Sequence, residues 1–286
     1  MRPRTGPAVA LARGPLLASL TALWLSCAAA ADVRLYVFDC GSLQIAEVAA
    51  FGLEEDDTPV RELFVPCYLI EHGTGDTTRR LLFDAGLPLE LAGADQTELE
   101  PGMNASYARS LEAQLTELKL TPADIDYVAF SHLHFDHVGS AALFDSAEQL
   151  IQQPEYQAGF VDALPIYETS LFAPLADSPR RLLNGDFDVF GDDSVRLLSA
   201  PGHTPGHQAL LIRLEETGPL ILSGDLYHFR ASRGLRAVPV FNTDAAATRA
   251  SMDRIEALLQ AEGATLWIEH DQALADTLRK APLFYR

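Results

Sequence analysis

The chain has 286 residues, with 21 Lys+Arg against 40 Asp+Glu and a formal charge of −19. At roughly 100–200 residues per domain this is one large domain or two small ones, and a composition 48% hydrophobic and 21% charged excludes a wholly disordered or collagen-like chain. The acidic balance counts against nucleic acid and anionic lipid as partners, since both are held by clustered Lys and Arg.

The first thirty residues read as a separate piece. Arg2, Arg4 and Arg13 come without an acid, then the apolar run PLLASLTALWLSC, then Ala28 to Ala31. A basic stretch, a short apolar stretch and small residues predict a secretory signal over residues 1–30; the apolar run is shorter than the ~20 residues needed to cross a bilayer. A lipoprotein site at Cys27 is the weaker reading, because Trp24 stands where such sites carry a branched aliphatic residue. The expectation is an exported protein, periplasmic or extracellular, with a single domain over 31–286. In an oxidising compartment Cys40 and Cys67 could pair or remain two buried thiols; the sequence leaves both open.

Beyond the leader, apolar strand-like runs recur: VRLYVF (33–38), VPCYLI (65–70), RLLF (80–83), DYVAF (126–130), VRLLS (195–199), QALLIRL (208–214), PLILS (219–223) and TLWIE (265–269). Several are apolar on both faces, as strands covered by further layers should be. Tyr107, Leu111, Leu115 and Leu118 share a helical face. Thr121, Pro122 and Asp124 predict one capped turn, and Ala245 to Leu259 a helix with Asp244 as N-cap. The stretches 85–106 and 164–186 read as irregular loops over a site. Strands with interspersed helices make this an α/β chain of packed layers.

The chemistry concentrates in SHLHFDHVG (131–139). His132, His134, Asp136 and His137 stand within six positions, directly after an apolar strand, and three of the eight histidines fall here. Imidazole and carboxylate together suit zinc and neighbouring transition metals. Downstream, PGHTPGH (201–207) supplies His203, SGD (223–225) supplies Asp225 and WIEHD (267–271) supplies His270. Each sits where an apolar strand gives way to a turn.

HxHxDH followed by a later His, an Asp and a final His resembles the metallo-β-lactamase superfamily, over essentially all of the chain after the leader. The resemblance implies a four-layer αββα sandwich with two divalent metal ions at one edge, zinc first, with iron, cobalt and manganese as alternatives. It implies that His132, His134 and His203 hold one ion, that Asp136, His137 and His270 hold the other, and that Asp225 bridges them. Within the superfamily, LYVFDCGSL, CYLIEHGTG, LLFDAGLP, SHLHFDHVG, APGHTPGHQALLI and SGDLYH are similar to the N-acyl homoserine lactonases. The implied reaction is opening of a lactone ring by a hydroxide shared between the ions, with Asp136 also counted as catalytic. In those enzymes a Tyr three positions after the bridging Asp assists. Here Tyr227 stands two after Asp225 and His228 three after it, so either is a candidate helper. Asp84 is a candidate brace for a ligand His, with a turn-forming Asp as the competing reading. His207 reads as a strand-start His with a backbone partner. Leu87, Leu89, Leu91, Met103, Phe135, Phe160, Leu171, Phe172 and Phe229 are candidates for an acyl groove, each also explicable as ordinary packing.

Phosphotriester hydrolysis is the nearest competing reading. Glyoxalase II is disfavoured because the chain ends soon after EHD, β-lactamases by the Asp at 225, and a non-catalytic metal-binding protein by the full set of seven ligands. The expected partners are a small-molecule lactone or ester and a second copy of the chain as a homodimer, without nucleic acid and without membrane insertion after leader removal.

Overall fold

The central strands are buried on both faces, as their continuous apolar runs predict. The computed structural model describes residues 1, 3–6 and 32–286; the predicted leader's apolar run, its cleavage site and Cys27 lie outside the described residues. In chain order the strands are β1 (Val33–Ile45), β2 (Glu62–His72), β3 (Arg79–Phe83), β4 (Ala94–Glu100), β5 (Met103–Tyr107), β6 (Tyr127–Ala129), β7 (Glu148–Gln152), β8 (Arg180–Leu183), β9 (Phe187–Asp188), β10 (Val195–Ser199), β11 (Gln208–Leu214), β12 (Gly218–Leu222), β13 (Thr265–Trp267) and β14 (Phe284–Tyr285). They form two sheets. The larger has the order β4-β5-β1-β2-β3-β6-β7-β8, with β14 also paired to β1; the smaller runs β13-β12-β11-β10-β9.

Alternate residues of each strand feed different cores. From β1, Val33, Leu35 and Val37 join Leu197, Leu210, Ile212 and Leu222 in the layer between the sheets. Tyr36 and Phe38 point the other way, into the cluster that the outer helical segments cover, with Leu111, Leu115 and Phe144. From β11, Ala209 and Leu211 pack on Met252, Ile255 and Leu259 of the helix Ala245–Glu262. Helix, sheet, sheet and helix are therefore the layers, which is the αββα sandwich expected from the sequence.

Local chemistry fixes the ends of these elements. The Asp244 carboxylate accepts from the backbone of Ala246 and Ala247 (both 2.9 Å), and the helix stops at Gly263, whose φ of 62° lies in the left-handed region. Burial of Met252, Ile255 and Leu259 then anchors it, at about 1.5–3 kcal/mol per side chain. Asp124 accepts from both the backbone and the hydroxyl of Thr121 (2.8 Å each), closing the predicted turn.

Three sequence expectations need correction. Tyr107 is not helical: it ends β5, and its hydroxyl accepts from Leu111 N (2.7 Å) at the start of the helix Leu111–Glu117. An aromatic at helical spacing from Leu111 is here a cap to the helix. The stretch 85–106 is not wholly irregular, since β4 and β5 form a hairpin that extends the larger sheet along β1. Within 164–186, the helix Thr169–Phe172 and edge strand β8 are ordered. β4 is mostly polar, and the helix Thr169–Phe172 and β8 have four residues each, too short for a period to show.

Cys40 and Cys67 are disulfide-bonded, with Cα atoms 5.8 Å apart across β1 and β2. Among the described residues no helix is long and apolar enough to cross a membrane.

Candidate metal centre and groove

Strand direction brings the candidate ligands together. β3 and β6 are parallel, and β10, β12 and β13 run in one direction because β11 is antiparallel to both of its neighbours. The residues after the C-terminal ends of these strands therefore emerge at one edge. Asp84 follows β3, the 131–137 segment follows β6, His203 follows β10, Asp225 follows β12 and His270 follows β13. The carboxyl ends of strands are where open sheets collect ligands. Two contacts tie the sheets at this edge: Gln208 Nε2 donates to Phe130 O (2.9 Å), and His270 Nδ1 to Phe64 O (2.8 Å).

All seven predicted ligands converge. His132 Nε2, His134 Nδ1 and His203 Nε2 lie 2.8, 3.1 and 3.2 Å from one another. That is close to the ~3.3 Å separating nitrogens around one tetrahedral ion with bonds of ~2.0–2.1 Å. His137 Nε2 and His270 Nε2 lie 3.7 and 3.8 Å from Asp136 Oδ2. Asp225 stands between the two groups. Its Oδ1 is 2.9 Å from His270 and 3.3 Å from His137, while its Oδ2 is 3.4 Å from His203 and 3.7 Å from His132.

These atoms fit a cation better than they fit one another. His137 Nε2 and Asp225 Oδ1 are buried without a hydrogen-bond partner among the described residues, though buried polar atoms normally have one. The sets His132, His134, His203, Asp225 and Asp136, His137, His270 each present ligand atoms within 4.8 Å of one another. The chain thus offers a His/Asp set fit for divalent metal ions.

Electrostatics agree with this reading. Burial pushes His132 and His203 well below the ordinary imidazole range and takes His134 down to about 4, so their lone pairs are free. Burial also opposes charge on His137, but Asp225, Asp136 and Asp84 outweigh it and hold this imidazole well above its usual value. Asp225 is itself disfavoured as an anion by burial, yet His228, His270, His137 and His132 keep it well below the carboxylate range. A dication would meet the same concentrated negative field.

Supporting groups set the orientation of the rings. Asp84 Oδ2 lies 2.9 Å from His137 Nδ1, and Oδ1 accepts from Ser131 N (2.6 Å). Asp84 has φ +60°, so both readings of this residue hold: it turns the chain and it braces a ligand ring. His207 donates from Nδ1 to Ala200 O (3.0 Å), the expected backbone partner, and its Nε2 accepts from Asp225 N (2.9 Å). Gly224 must be glycine: its φ is +52°, and a Cβ there would lie 2.5 Å from His207 Nε2.

Tyr227 and His228 diverge. His228 Nε2 is 3.0 Å from Asp225 Oδ2 and the ring faces the site. The Tyr227 hydroxyl instead bonds Glu256 (3.1 Å) on the long helix, with its ring packed among Leu198, Met252 and Ile255. The expectation of Tyr227 as a helper is corrected: two residues after Asp225, the chain has turned its side chain into the core.

A cavity of about 350 Å³ opens beside the candidate metal ligands, lined among others by Leu43, Phe51, Leu63, Met103, Phe135 and Phe241. Of the predicted groove residues only Met103 and Phe135 line it. Leu87, Phe172 and Phe229 are core, Leu91, Phe160 and Leu171 pack against that core, and Leu89 is exposed. Phe51 ends a single helical turn (Ala49–Phe51) and Phe241 lies in a turn, and neither segment is long enough to show a period. Two buried carboxyls carry no motif signal of their own in the sequence. Glu269 Oε1 accepts from Gly224 N (3.2 Å), and burial followed by the neighbouring Asp84 raises this carboxyl well above its ordinary range. Glu155 is buried beneath the ligand loops. In the string IEHD, Glu269 directly precedes the stronger ligand candidate His270.

A sequence model of the metallo-beta-lactamase superfamily matches residues 60–262. The chain belongs to this superfamily. Among curated relatives, it is 30% identical over 268 residues to the N-acyl homoserine lactonase AttM of Azorhizobium caulinodans, and 31% identical over 270 residues to that of Agrobacterium fabrum. Each alignment covers 89% of this chain and 99% of the relative. A solved structure, an N-acyl homoserine lactone hydrolase with the product N-hexanoyl-L-homoserine bound at its catalytic metal centre, superposes with a TM-score of 0.74 at 25% identity. That match covers 88% of this chain and 98% of the other.

Proposed function

We propose that the protein is a metal-dependent hydrolase that opens lactone rings, with N-acyl homoserine lactones as substrates. The observation that carries this reading is Asp225, whose two oxygens face separate imidazole groups at the mouth of an apolar cavity. Relatives of nearly equal length named as N-acyl homoserine lactonases support the substrate class. His132, His134 and His203 would hold one divalent ion, Asp136, His137 and His270 a second, and Asp225 would serve both; zinc suits this donor set, with iron, cobalt or manganese as alternatives. Such ions, when bound, supply Lewis acidity toward a carbonyl and lower the pKa of water toward ~7.

The chain's own residues do the rest. Asp84 and the Phe64 carbonyl fix the second-ion imidazoles, so each offers Nε2 to the site. Phe51 and Phe241 wall the cavity, 5.5 Å apart and edge to face, and present an apolar surface to an acyl chain. His228 holds a proton at Nε2 beside Asp225 Oδ2 and delivers it to the ring oxygen as the C–O bond breaks.

Export is part of the proposal, supported by the leader composition and by the Cys40–Cys67 disulfide, a bond favoured in oxidising compartments. A hydrolysis panel of acylated lactones, organophosphates and β-lactams on metal-replete protein tests the function. Turnover of acylated lactones above the others is expected; preference for organophosphates or β-lactams, or no turnover, would overturn it.

A further inference from the structure

Glu155 has no place in the chemistry above, yet it is a buried carboxylate in contact with both ligand loops of one metal group. It sits in the short helix Gln153–Tyr156, directly after β7, and is 2% exposed. Its Oε1 accepts from Leu133 N (3.0 Å) and from the Tyr167 hydroxyl (2.9 Å). Its Oε2 accepts from the Thr204 hydroxyl (2.8 Å) and from Gly206 N (2.8 Å). Leu133 lies between His132 and His134, and Thr204 directly follows His203. One carboxylate therefore holds the backbone between two candidate ligands and the loop carrying the third.

The neighbouring sequence is shaped for this contact. A Cβ on Gly206 would lie 2.4 Å from Glu155 N and 2.6 Å from Glu155 Cβ, so only glycine lets the 203–207 loop close onto the carboxylate. All four partners can donate, and only an ionised carboxylate accepts four hydrogen bonds. No Lys or Arg forms an ion pair with it among the described residues, although buried charges are normally paired or associated with metal. The fourth donor, Tyr167, is buried beside the site: its ring is 5.9 Å from that of His134, and it is the adjacent Ile166 that lines the groove.

We propose that Glu155 is a positioning residue that holds His132, His134 and His203 in ligating geometry and couples them to the Tyr167 side of the groove. The inference rests on the metal-centre reading above. Fixing a ligand through the groups behind it is worth about 10–100-fold in metal affinity where it has been removed in other sites. Glu155→Gln keeps the size and one carbonyl acceptor but turns an NH₂ toward Gly206 N–H or Leu133 N–H, setting donor against donor. Tyr167→Phe removes one donor and leaves the carboxylate and the other three bonds.

The test is chelator competition and visible absorption of the cobalt-substituted full-length protein, for wild type and variants. Wild type should bind two ions. Glu155→Gln should weaken one of them about 10–100-fold and alter the cobalt spectrum, while the other ion keeps its affinity. Tyr167→Phe should leave both affinities within about 2-fold and raise KM for a lactone without a matching fall in kcat. If Glu155→Gln does not fold, Thr204→Val supplies the measurement, with a smaller weakening confined to the same ion. Unchanged affinities and spectrum in a folded Glu155→Gln, or in Thr204→Val where that variant stands in, overturn the proposal even if thermal stability falls. A wild-type protein that binds no ion overturns the metal-centre reading itself, a separate outcome.

Discussion

Asp84 Oδ2 stands 2.9 Å from His137 Nδ1 while the Asp84 backbone is held at φ +60°. The contact sets which nitrogen of the ring faces the ligand group. Asn tolerates the left-handed region nearly as well as Asp, so Asp84→Asn removes charge with little backbone penalty. It should weaken binding of the ion at His137 by about 10–100-fold, with a small change in unfolding free energy. Metal titration beside a denaturant curve checks this.

Asp225 makes the two groups one site. Asp225→Ala should reduce bound metal from two ions to one or none, read by elemental analysis of protein purified without chelator. Asp136→Asn, which withdraws an anionic ligand at the cavity, should lower lactone turnover at least about a hundredfold, within the range lost when catalytic groups are removed. Full metal content in the first variant, or full turnover in the second, would contradict the assignment.

Tyr227 and His228 separate cleanly in the structure and should do so in the assay. Tyr227→Phe removes the bond to Glu256 and should cost about 1 kcal/mol of stability with lactone turnover held within about 2-fold. His228→Ala should lower kcat at least about 10-fold, in keeping with loss of a proton donor. Steady-state kinetics and thermal melts of the pair check both.

The Cys40–Cys67 bond closes a loop spanning 27 positions. Chain entropy gives about 3–4 kcal/mol for a loop of that length. For a domain of this size that is a fall in Tm of about 6–16 °C when both cysteines are replaced by Ala. A melt within about 2 °C of wild type would show the bond to be dispensable.

Much of this was legible in the sequence because ligand chemistry at strand ends is local. SHLHFDHVG, PGHTPGH, SGD and IEHD each follow an apolar run, and the edge of the sandwich collects them. β10 and β11 also match their predicted spans, since apolar residues on both faces leave little choice. What escaped depends on tertiary context. Glu155 resembles any acid after a strand until its four donors are in place. Tyr107 sits at helical spacing from Leu111 yet works through its hydroxyl. Tyr227 and His228 are neighbours in sequence, and only the path of the chain after Gly224 decides which one reaches the cavity.

The hydrogen bond from His270 to the Phe64 carbonyl joins positions 206 residues apart. A site assembled from such distant segments cannot exist in a half-formed chain, so competence for metal is acquired only after both sheets have docked. The complete ligand set is then a late product of folding, formed after the non-local pairing that is its slow stage.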